Sequence, residues 1–568
     1  MRRNLLMHRW LGRSAVAGAL VVIGACTAGA QVKNPIAGDP IAIDTGKVAG
    51  TVLDNGAHAY LGIPFGAPPA GDLRWHAPDP VKPWTGIYDA SYTRPACAQR
   101  GGGPDAEKYS EDCLYLNVWT PPTAKAGAKL PVLVFIYGGG FGGGSANSPG
   151  YAGAELTKKG VIRVNIAYRV GIFGYFALPE LSKESGHNAS GDWGSLDTVA
   201  AMQWVQRNIA AFGGDPANVT LMGQSAGSES VYQLQASPLG RGLFAKVSGW
   251  SGADLAPGGG VPRSLAEGEA AGLKVEQQLN FKSLAEMRAV PWEDLLTDLS
   301  KLAGPQQGGG GGGFQTRPIV DGYFLPDVPD KIFKAGKEND VPNFSSSAQE
   351  DLGSAQTFYN DVHTVADLKK VAADAFGDQA DAFLKLFPAS NDEEARKVAL
   401  IVSGDTGFGI SNRDWARDQA LVSKKPVYLA QWAHPSPPNK PGLPPARAQF
   451  GNGATHGSDI TFWMGNFPAH PERAWTDYDR ELSDKMQDSL VAFARTGNPN
   501  TSAVKVPRYD PNNEERVVFG DTIYIEKMNT AQVEFLRAHA PKRGAPGGGA
   551  PGGGPGGAPG GAPAGPAR

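Results

Sequence analysis

One serine stands between two glycines in a pattern that supports nucleophilic catalysis. Ser225 is the centre of Gly223-Gln-Ser-Ala-Gly227, which follows the apolar run Val219 to Met222 and precedes a helix-compatible segment, residues 228–236. In such a context a strand turns sharply into a helix and the turn exposes the serine hydroxyl at the top of a sheet. The glycines let the chain pass through the crowded corner. Because glycine and serine are common, an ordinary turn explains the pattern equally well until partners for the serine are found.

A serine hydroxyl is a weak nucleophile at neutral pH, so it needs a histidine to take its proton and a carboxylate to orient that histidine. The small-residue loop Gly453-Ala-Thr-His-Gly-Ser458 gives the ring of His456 room to reach a neighbouring serine, and we predict His456 as the base. His434, which follows a strand-like run, is the alternative. The histidines that follow the serine are His363, His434, His456, His470 and His539.

Two adjacent acids are candidates for the orienting carboxylate. Glu350 and Asp351 both follow the strand-like run at residues 342–347, and either side chain could point inward. An adjacent pair of acids is more often a solvated turn than a site. The residues alone therefore leave both candidates open.

A glycine-rich turn is a candidate for stabilising negative charge. The apolar run Pro131 to Tyr137 leads into Gly138-Gly-Gly-Phe141, and further glycines continue to Gly144. Glycines after a core strand allow backbone N–H groups to converge on one point, which is how a hydrolase forms an oxyanion hole. A phosphate-binding loop would end in Lys-Ser or Lys-Thr before a helix, and neither follows. A flexible glycine loop is the remaining alternative.

The elements around these motifs alternate between strand and helix. Val161 to Tyr168 reads as a strand and Leu196 to Phe212 as a helix, which Gly213-Gly-Asp-Pro216 ends before the serine strand. We therefore predict an α/β fold with a mostly parallel central sheet flanked by helices. Residues 31–130 are rich in turns and strands, so an antiparallel β region is expected at the N-terminal end.

Composition narrows the function classes. The 568 residues include 53 basic and 56 acidic side chains, with a net charge of −3 and 41% hydrophobic residues. This content supports a large core. Without a basic patch, nucleic acid is not an expected partner. No cluster of cysteines and histidines has metal-ligand spacing, so neither a metal nor another cofactor is expected.

The first 30 residues read as a signal peptide. Four arginines precede the apolar run at residues 15–23, and Ala28-Gly29-Ala30 is a small-residue cleavage site. The run is too short to span a bilayer, and no other stretch is predicted to span one. We expect export to the periplasm or the medium. Ile23-Gly-Ala-Cys26 resembles a lipoprotein box, so anchoring through a lipid on Cys26 is the alternative.

The rest of the chain is predicted to form one folded domain, residues 31–541, and a disordered tail, residues 542–568, made almost only of glycine, proline and alanine. Signal cleavage leaves Cys97 and Cys113. An even pair in an exported protein predicts one disulfide, which would stabilise the fold by roughly 3 kcal/mol. Two free buried thiols are the alternative.

Several separate motifs together resemble those of the type-B carboxylesterases, the family that includes the cholinesterases. The resemblance extends over about residues 40–530. The motifs that carry it are Tyr60-Leu-Gly-Ile-Pro-Phe65 with Arg74, Ser110-Glu-Asp-Cys-Leu-Tyr-Leu-Asn117, Tyr137-Gly-Gly-Gly-Phe141, Asn208-Ile209 with Phe212-Gly-Gly-Asp-Pro216, Asp321-Gly322, and Thr496-Gly-Asn-Pro499.

The resemblance implies an α/β-hydrolase fold and hydrolysis of small-molecule carboxylic esters. It implies Ser225 as nucleophile and His456, in His-Gly-Ser-Asp-Ile, as base. Counting without gaps from Val341-Pro342 implies Asp351 as the acid, and one gap would imply Glu350. The residues implied for the oxyanion hole are Gly139, Gly140 and Ala226, and those implied for the family's first disulfide are Cys97 and Cys113.

The chain also departs from the family. Gln224 stands where many members carry glutamate, and Asp351-Leu-Gly replaces the usual Glu-Gly pair. Residues 98–112 contain no tryptophan, so the aromatic face that holds choline in cholinesterases is missing and a choline ester is not an expected substrate. The alternatives are a catalytically silent binding or adhesion module of the same fold, and an esterase specialised for aromatic acyl groups.

Overall fold

The computed structural model describes residues 34–100, 109–253, 262–302, 317–352, 357–444 and 453–539. The predicted signal peptide with Cys26, the predicted C-terminal tail and the glycine run at 308–313 lie outside the described residues. None of the described helices is both long enough and apolar enough to cross a bilayer.

The described strands form one large sheet and two small ones. The strands are β1 (Ile41–Ile43), β2 (Gly46–Ala49), β3 (Thr51–Val52), β4 (His58–Pro64), β5 (Ile87–Asp89), β6 (Ala96–Cys97), β7 (Tyr109–Ser110), β8 (Tyr115–Thr120), β9 (Leu130–Ile136), β10 (Ile162–Ile166), β11 (Gly214–Gln224), β12 (Lys246–Trp250), β13 (Asn343–Ala348), β14 (Val427–Trp432), β15 (Glu515–Phe519) and β16 (Ile523–Lys527).

Helices fill the connections between the strands. They are α1 (Ala154–Thr157), α2 (Gly171–Tyr175), α3 (Pro179–Glu184), α4 (Trp193–Asn208), α5 (Ala226–Ala236), α6 (Leu265–Gln278), α7 (Leu284–Ala289), α8 (Trp292–Leu302), α9 (Pro329–Lys334), α10 (Thr357–Asp361), α11 (Val365–Phe376), α12 (Ala380–Leu386), α13 (Asp392–Gly404), α14 (Ile410–Val422), α15 (Ile460–Met464), α16 (Asp477–Thr496) and α17 (Thr530–Ala538).

The 11-stranded sheet has the order β16-β15-β14-β13-β12-β11-β9-β10-β8-β4-β3. The pairs from β10 through β9, β11, β12, β13 and β14 to β15 are all parallel. The outer pairs, β15 with β16 and β10-β8-β4-β3, are antiparallel. The prediction of a mostly parallel sheet with an antiparallel N-terminal region is confirmed.

The central strands are continuous apolar runs because both faces of the sheet are covered. Val134 on β9 and Leu221 on β11 are paired in register and have no exposed surface. Their side chains belong to the largest hydrophobic cluster, which also contains residues of α4, α5 and α16. The serine motif therefore stands at the end of a buried strand pair.

Several boundaries follow the sequence pattern. The helix expected at residues 196–212 is α4 followed by a 3-10 turn, Ile209–Phe212, and Gly213 ends it at φ 90°. The hairpin turn at Asp54-Asn55-Gly56 joins β3 to β4, where the Leu53 N–H donates to the Ala57 carbonyl oxygen at 2.9 Å. A disulfide joins Cys97 to Cys113, as the sequence predicts.

Candidate active site

Ser225 lies between β11 and α5 in a strained conformation. Its φ and ψ are 57° and −128°, an unfavourable region for a residue with a side chain, which costs about 1–3 kcal/mol and persists only where the surroundings enforce it. Two backbone hydrogen bonds do so. The Ser225 N–H donates to the Trp250 carbonyl oxygen at 2.9 Å, and the Ser225 carbonyl oxygen accepts from the Glu229 N–H at 2.9 Å.

The two glycines of the motif are required by close packing. A Cβ on Gly223 would overlap the carbonyl oxygen of Gly227, and a Cβ on Gly227 would overlap the carbonyl oxygen of Ile136 on β9. The backbones of the strand, the turn and the helix are thus in direct contact with one another. This packing gives the physical reason for the G-x-S-x-G pattern.

His456 and Asp351 are brought together from two different loops. Asp351 follows β13, and His456 lies between β14 and α15. The Nδ1 atom of His456 is 2.6 Å from Oδ1 of Asp351, and the aspartate has no exposed surface. The other carboxylate oxygen accepts a hydrogen bond from the Ala348 N–H at 3.2 Å, so the carboxylate is held from both sides.

Glu350 serves a different contact. Its Oε1 accepts from the Ala454 N–H at 3.2 Å, and its own N–H donates to the Ala454 carbonyl oxygen at 3.0 Å. Burial raises the pKa of this carboxyl group. Glu350 therefore ties the acid loop to the histidine loop, while its neighbour Asp351 contacts the imidazole.

Gln224 contacts the other ring nitrogen of His456. The Nε2 atom of the amide lies 3.2 Å from Nε2 of the imidazole. Because an amide nitrogen can only donate, this contact requires a lone pair on Nε2 of His456 and places the ring proton on Nδ1, toward Asp351. The lone pair on Nε2 is the one that can accept a proton from a serine.

The glycine turn after β9 presents unused backbone donors. Gly139, Gly140 and Phe141 have φ of 128°, 61° and 59°. Among the described residues, the amides of Gly139 and Gly140 have no hydrogen-bond acceptor. Ala226 is the first residue of α5, where helical geometry leaves the N–H without an intrahelical partner. These donors are of the kind that binds a developing oxyanion.

His434, the alternative base, is engaged elsewhere. Its Nδ1 is 2.6 Å from Oδ1 of Asp521, and its Nε2 is 2.8 Å from Oδ1 of Asp479. With a carboxylate at each nitrogen, the ring has no nitrogen left to accept a serine proton. The described residues likewise contain no group of three or more histidine, cysteine, aspartate or glutamate side chains that could hold a metal ion.

Sequence reasoning gave no role to two residues beside the His456 ring. Asp459 is fully buried, and the indole N–H of Trp463 lies near its carboxylate. Burial and the negative charge of Asp351 raise the pKa of Asp459 to about 7. The sequence feature that could have indicated Asp459 is its position three residues after His456. Phe408 stacks on the imidazole. The sequence feature that could have indicated it is a glycine-rich interruption, residues 404–409, within a helical pattern.

A parallel sheet that ends in a strained serine, with a buried histidine–aspartate pair and a glycine turn at its edge, defines a serine hydrolase with the α/β-hydrolase fold. A carboxylesterase family model matches residues 38–536, and the chain belongs to that family. It is accordingly a serine carboxylic ester hydrolase, and its substrates are small-molecule esters.

Similar proteins support this assignment over most of their lengths. Fumonisin B1 esterase of Sphingopyxis macrogoltabida is 34% identical over 89% of this chain and 92% of its own. Para-nitrobenzyl esterase of Bacillus subtilis is 32% identical over 88% of this chain and 98% of its own. A solved structure of PNB esterase has a TM-score of 0.71 and 31% identity, covering 88% of this chain and 99% of that one.

Proposed function

We propose that this ester hydrolase uses Ser225 as nucleophile, His456 as general base and Asp351 as the orienting acid. The observation that carries the proposal is the 2.6 Å contact between Nδ1 of His456 and Oδ1 of Asp351. That contact turns the Nε2 lone pair toward Gln224, the residue next to the serine. The oxyanion donors in this proposal are the N–H groups of Gly139, Gly140 and Ala226.

The reaction proceeds by two acyl transfers. Oγ of Ser225 attacks the ester carbonyl carbon while Nε2 of His456 takes the hydroxyl proton, and the carbonyl electron pair moves onto oxygen in the oxyanion hole. Collapse of this intermediate breaks the bond to the alkoxy oxygen, which leaves with the proton from His456. A water molecule then repeats the sequence on the acyl-serine and releases the carboxylic acid.

The test is loss of the nucleophile with the fold retained. Ser225→Ala is expected to lower kcat for a p-nitrophenyl ester by about 10⁵-fold, and a serine-reactive phosphonate should label the parent enzyme once and the variant not at all. Ser230→Ala is the control, because its hydroxyl lies one turn along α5 and, within the part of the chain that the structure describes, donates to the Ala226 carbonyl oxygen alone. Full activity in Ser225→Ala would show that Ser225 is not the nucleophile, and no labelling of the parent enzyme would favour a silent binding module.

For the substrate, we propose esters without a choline group, since residues 98–112 contain no tryptophan to face a quaternary ammonium. A panel of p-nitrophenyl esters of rising acyl length, together with a benzoate ester and a choline ester, tests this. The choline ester should be the poorest substrate. A benzoate turned over faster than every aliphatic ester would indicate specialisation for aromatic acyl groups.

We also propose export, with residues 1–30 as signal peptide, 31–541 as the hydrolase domain and 542–568 as tail. The disulfide between Cys97 and Cys113 supports an oxidising compartment. N-terminal sequencing of the secreted or periplasmic protein should begin at Gln31. A lipid-modified Cys26 at the N-terminus would instead show membrane anchoring.

A further inference from the structure

A π-helical turn separates α13 from α14 and lies against the histidine–aspartate pair. It spans Asp405–Gly409 and continues the helix axis on both sides. Such a turn inserts one extra residue into a helix, is less favourable than regular α-helix, and often occurs at functional sites. Its side chains are buried, so the turn is part of the interior of the molecule.

The aromatic side chain of this turn covers one face of the catalytic imidazole. The ring centroids of Phe408 and His456 are 5.3 Å apart, and the ring planes are inclined by 23°. This is an offset stack, a favoured arrangement for aromatic pairs. Phe408 is 7% exposed, so the ring also keeps water from that face of the imidazole.

The same turn contacts the aspartate backbone. A Cβ on Gly407 would lie 2.6 Å from the carbonyl oxygen of Asp351 and 3.1 Å from its Cβ, so only glycine fits there. A Cβ on Gly404 would overlap the carbonyl oxygen of Gln349. One turn of chain is therefore packed against the loop that carries the acid and against the ring of the base.

The groups around the imidazole divide into edge contacts and a face contact. Asp351 lies at the Nδ1 edge and Gln224 at the Nε2 edge, and Asp459, the residue before α15, interacts electrostatically with the ring. Phe408 supplies the face. The negative face of a benzene ring attracts a cation, so Phe408 favours the imidazolium over the neutral ring.

We propose that Phe408 is a positioning residue: it holds the His456 imidazole in the plane that joins Asp351 to Ser225 and stabilises the imidazolium that forms when the serine proton is taken. The proposal rests on the proposed catalytic roles of those three residues. Phe408 acts through His456 and is not itself a catalytic group.

The test compares Phe408→Leu, which keeps an apolar side chain but removes the aromatic face, with Phe408→Tyr, which keeps the face. In the leucine variant kcat should fall about tenfold, KM should stay within about twofold, and the acid limb of the kcat/KM profile should move to lower pH. Phe408→Tyr should restore kcat to within about threefold of the parent. Phosphonate labelling of Ser225 should slow in step with kcat in the leucine variant.

Phe376→Leu is the matched control. Phe376 is 8% exposed and stacks on Phe383 with 4.5 Å between ring centroids, in a separate hydrophobic cluster. Its replacement removes a similar buried stack away from His456, so kcat and the pH profile should not change. Circular dichroism verifies the fold of each variant, and Phe408→Met takes the place of the leucine variant if the latter does not fold.

Three results would overturn the proposal. They are an unchanged kcat and pH profile in Phe408→Leu, an equal loss of kcat in Phe376→Leu, and a rise in KM alone, which would place Phe408 against the substrate. If instead the proposed catalytic role of Ser225 is wrong, the phosphonate will not label the parent enzyme, and this result distinguishes the two cases.

Discussion

The imidazole of His456 and the carboxylate of Asp351 meet at 2.6 Å across 105 residues of chain. The aspartate is fully buried and receives a second hydrogen bond from the Ala348 amide. A hydrogen bond to an ionised carboxylate in such surroundings is short and strong, and it fixes both the tautomer and the plane of the imidazole. The position of one acid on one loop thus determines which histidine nitrogen carries the ring proton and which keeps its lone pair.

The two adjacent acids should differ sharply when each is made neutral. Asp351→Asn should lower kcat by about 10⁴-fold, because an amide cannot stabilise the imidazolium and can favour the wrong tautomer. Glu350→Gln should lower kcat less than tenfold, since its amide oxygen can still accept the Ala454 N–H. Steady-state kinetics on a p-nitrophenyl ester measures both, and a larger loss in the Glu350 variant would reverse the assignment.

Gln224 should tune the pH dependence of the reaction. In Gln224→Glu, a carboxylate would replace the amide 3.2 Å from Nε2 of His456 and favour the protonated ring. Since the base must be neutral to accept a proton, the acid limb of the kcat/KM profile should move to higher pH by about one unit. Gln224→Met removes the polar contact without adding charge and should not move the limb upward. An unmoved limb in the glutamate variant would contradict the prediction.

The buried Asp459 should make stability depend on pH. Its folded pKa of about 7 lies above the unfolded value of about 3.9, so the folded state binds the extra proton between these values. The free energy of unfolding should therefore fall as pH rises from about 4 to about 7, by at most about 4 kcal/mol from this group.

Asp459→Asn should remove that loss, so the variant gains stability relative to the parent as pH rises. Urea unfolding at pH 4.5, 6 and 8 measures the difference. Asp72→Asn, at an exposed position, is the control, and its free energy of unfolding should change with pH in parallel with that of the parent. Parallel curves for Asp459→Asn as well would show that Asp459 does not hold the extra proton.

A buried ion pair braces the glycine turn. Arg169 donates to both carboxylate oxygens of Asp197 at 2.8 Å and 2.7 Å, and two residues later the Gly171 N–H donates to the Phe141 carbonyl oxygen at 2.7 Å. Arg169→Met leaves a buried charge unpaired and should lower the free energy of unfolding by about 3–5 kcal/mol.

The control for this prediction is the exposed pair of Arg207 with Asp44, which has a similar Nε contact of 2.7 Å. Arg207→Met should cost at most about 1 kcal/mol, because water screens an exposed pair. Denaturant unfolding compares the two variants. Equal losses would show that burial does not control the strength of these pairs.

The sequence pattern predicts helices and strands well where their formation depends on neighbouring residues. The strand-like run before His434 extends from Val427 to Trp432 in the sequence and forms β14 with the same bounds, because a strand covered on both faces is a largely apolar run. Residues 264–302, whose sequence is largely helix-compatible, instead divide into three helices, α6, α7 and α8. Ser283 caps the start of α7, and Pro291 stands immediately before α8. The residues on either side of these two breaks favour helix, so the general helical pattern hides breaks that single residues mark.

The sequence by itself determined the strained serine corner, the glycine turn and the histidine loop, because each depends on residues adjacent in the chain that have few alternative conformations. Only the tertiary structure shows that Asp351, and not Glu350, contacts the His456 imidazole. The side chains of adjacent residues point in different directions, and those directions depend on how the loop packs on its neighbours. The contacts of Phe408 and Asp459 with the site were decided in the same way. They depend on a π-helical turn and a buried carboxyl group placed by packing between distant segments, and no local pattern records those distances.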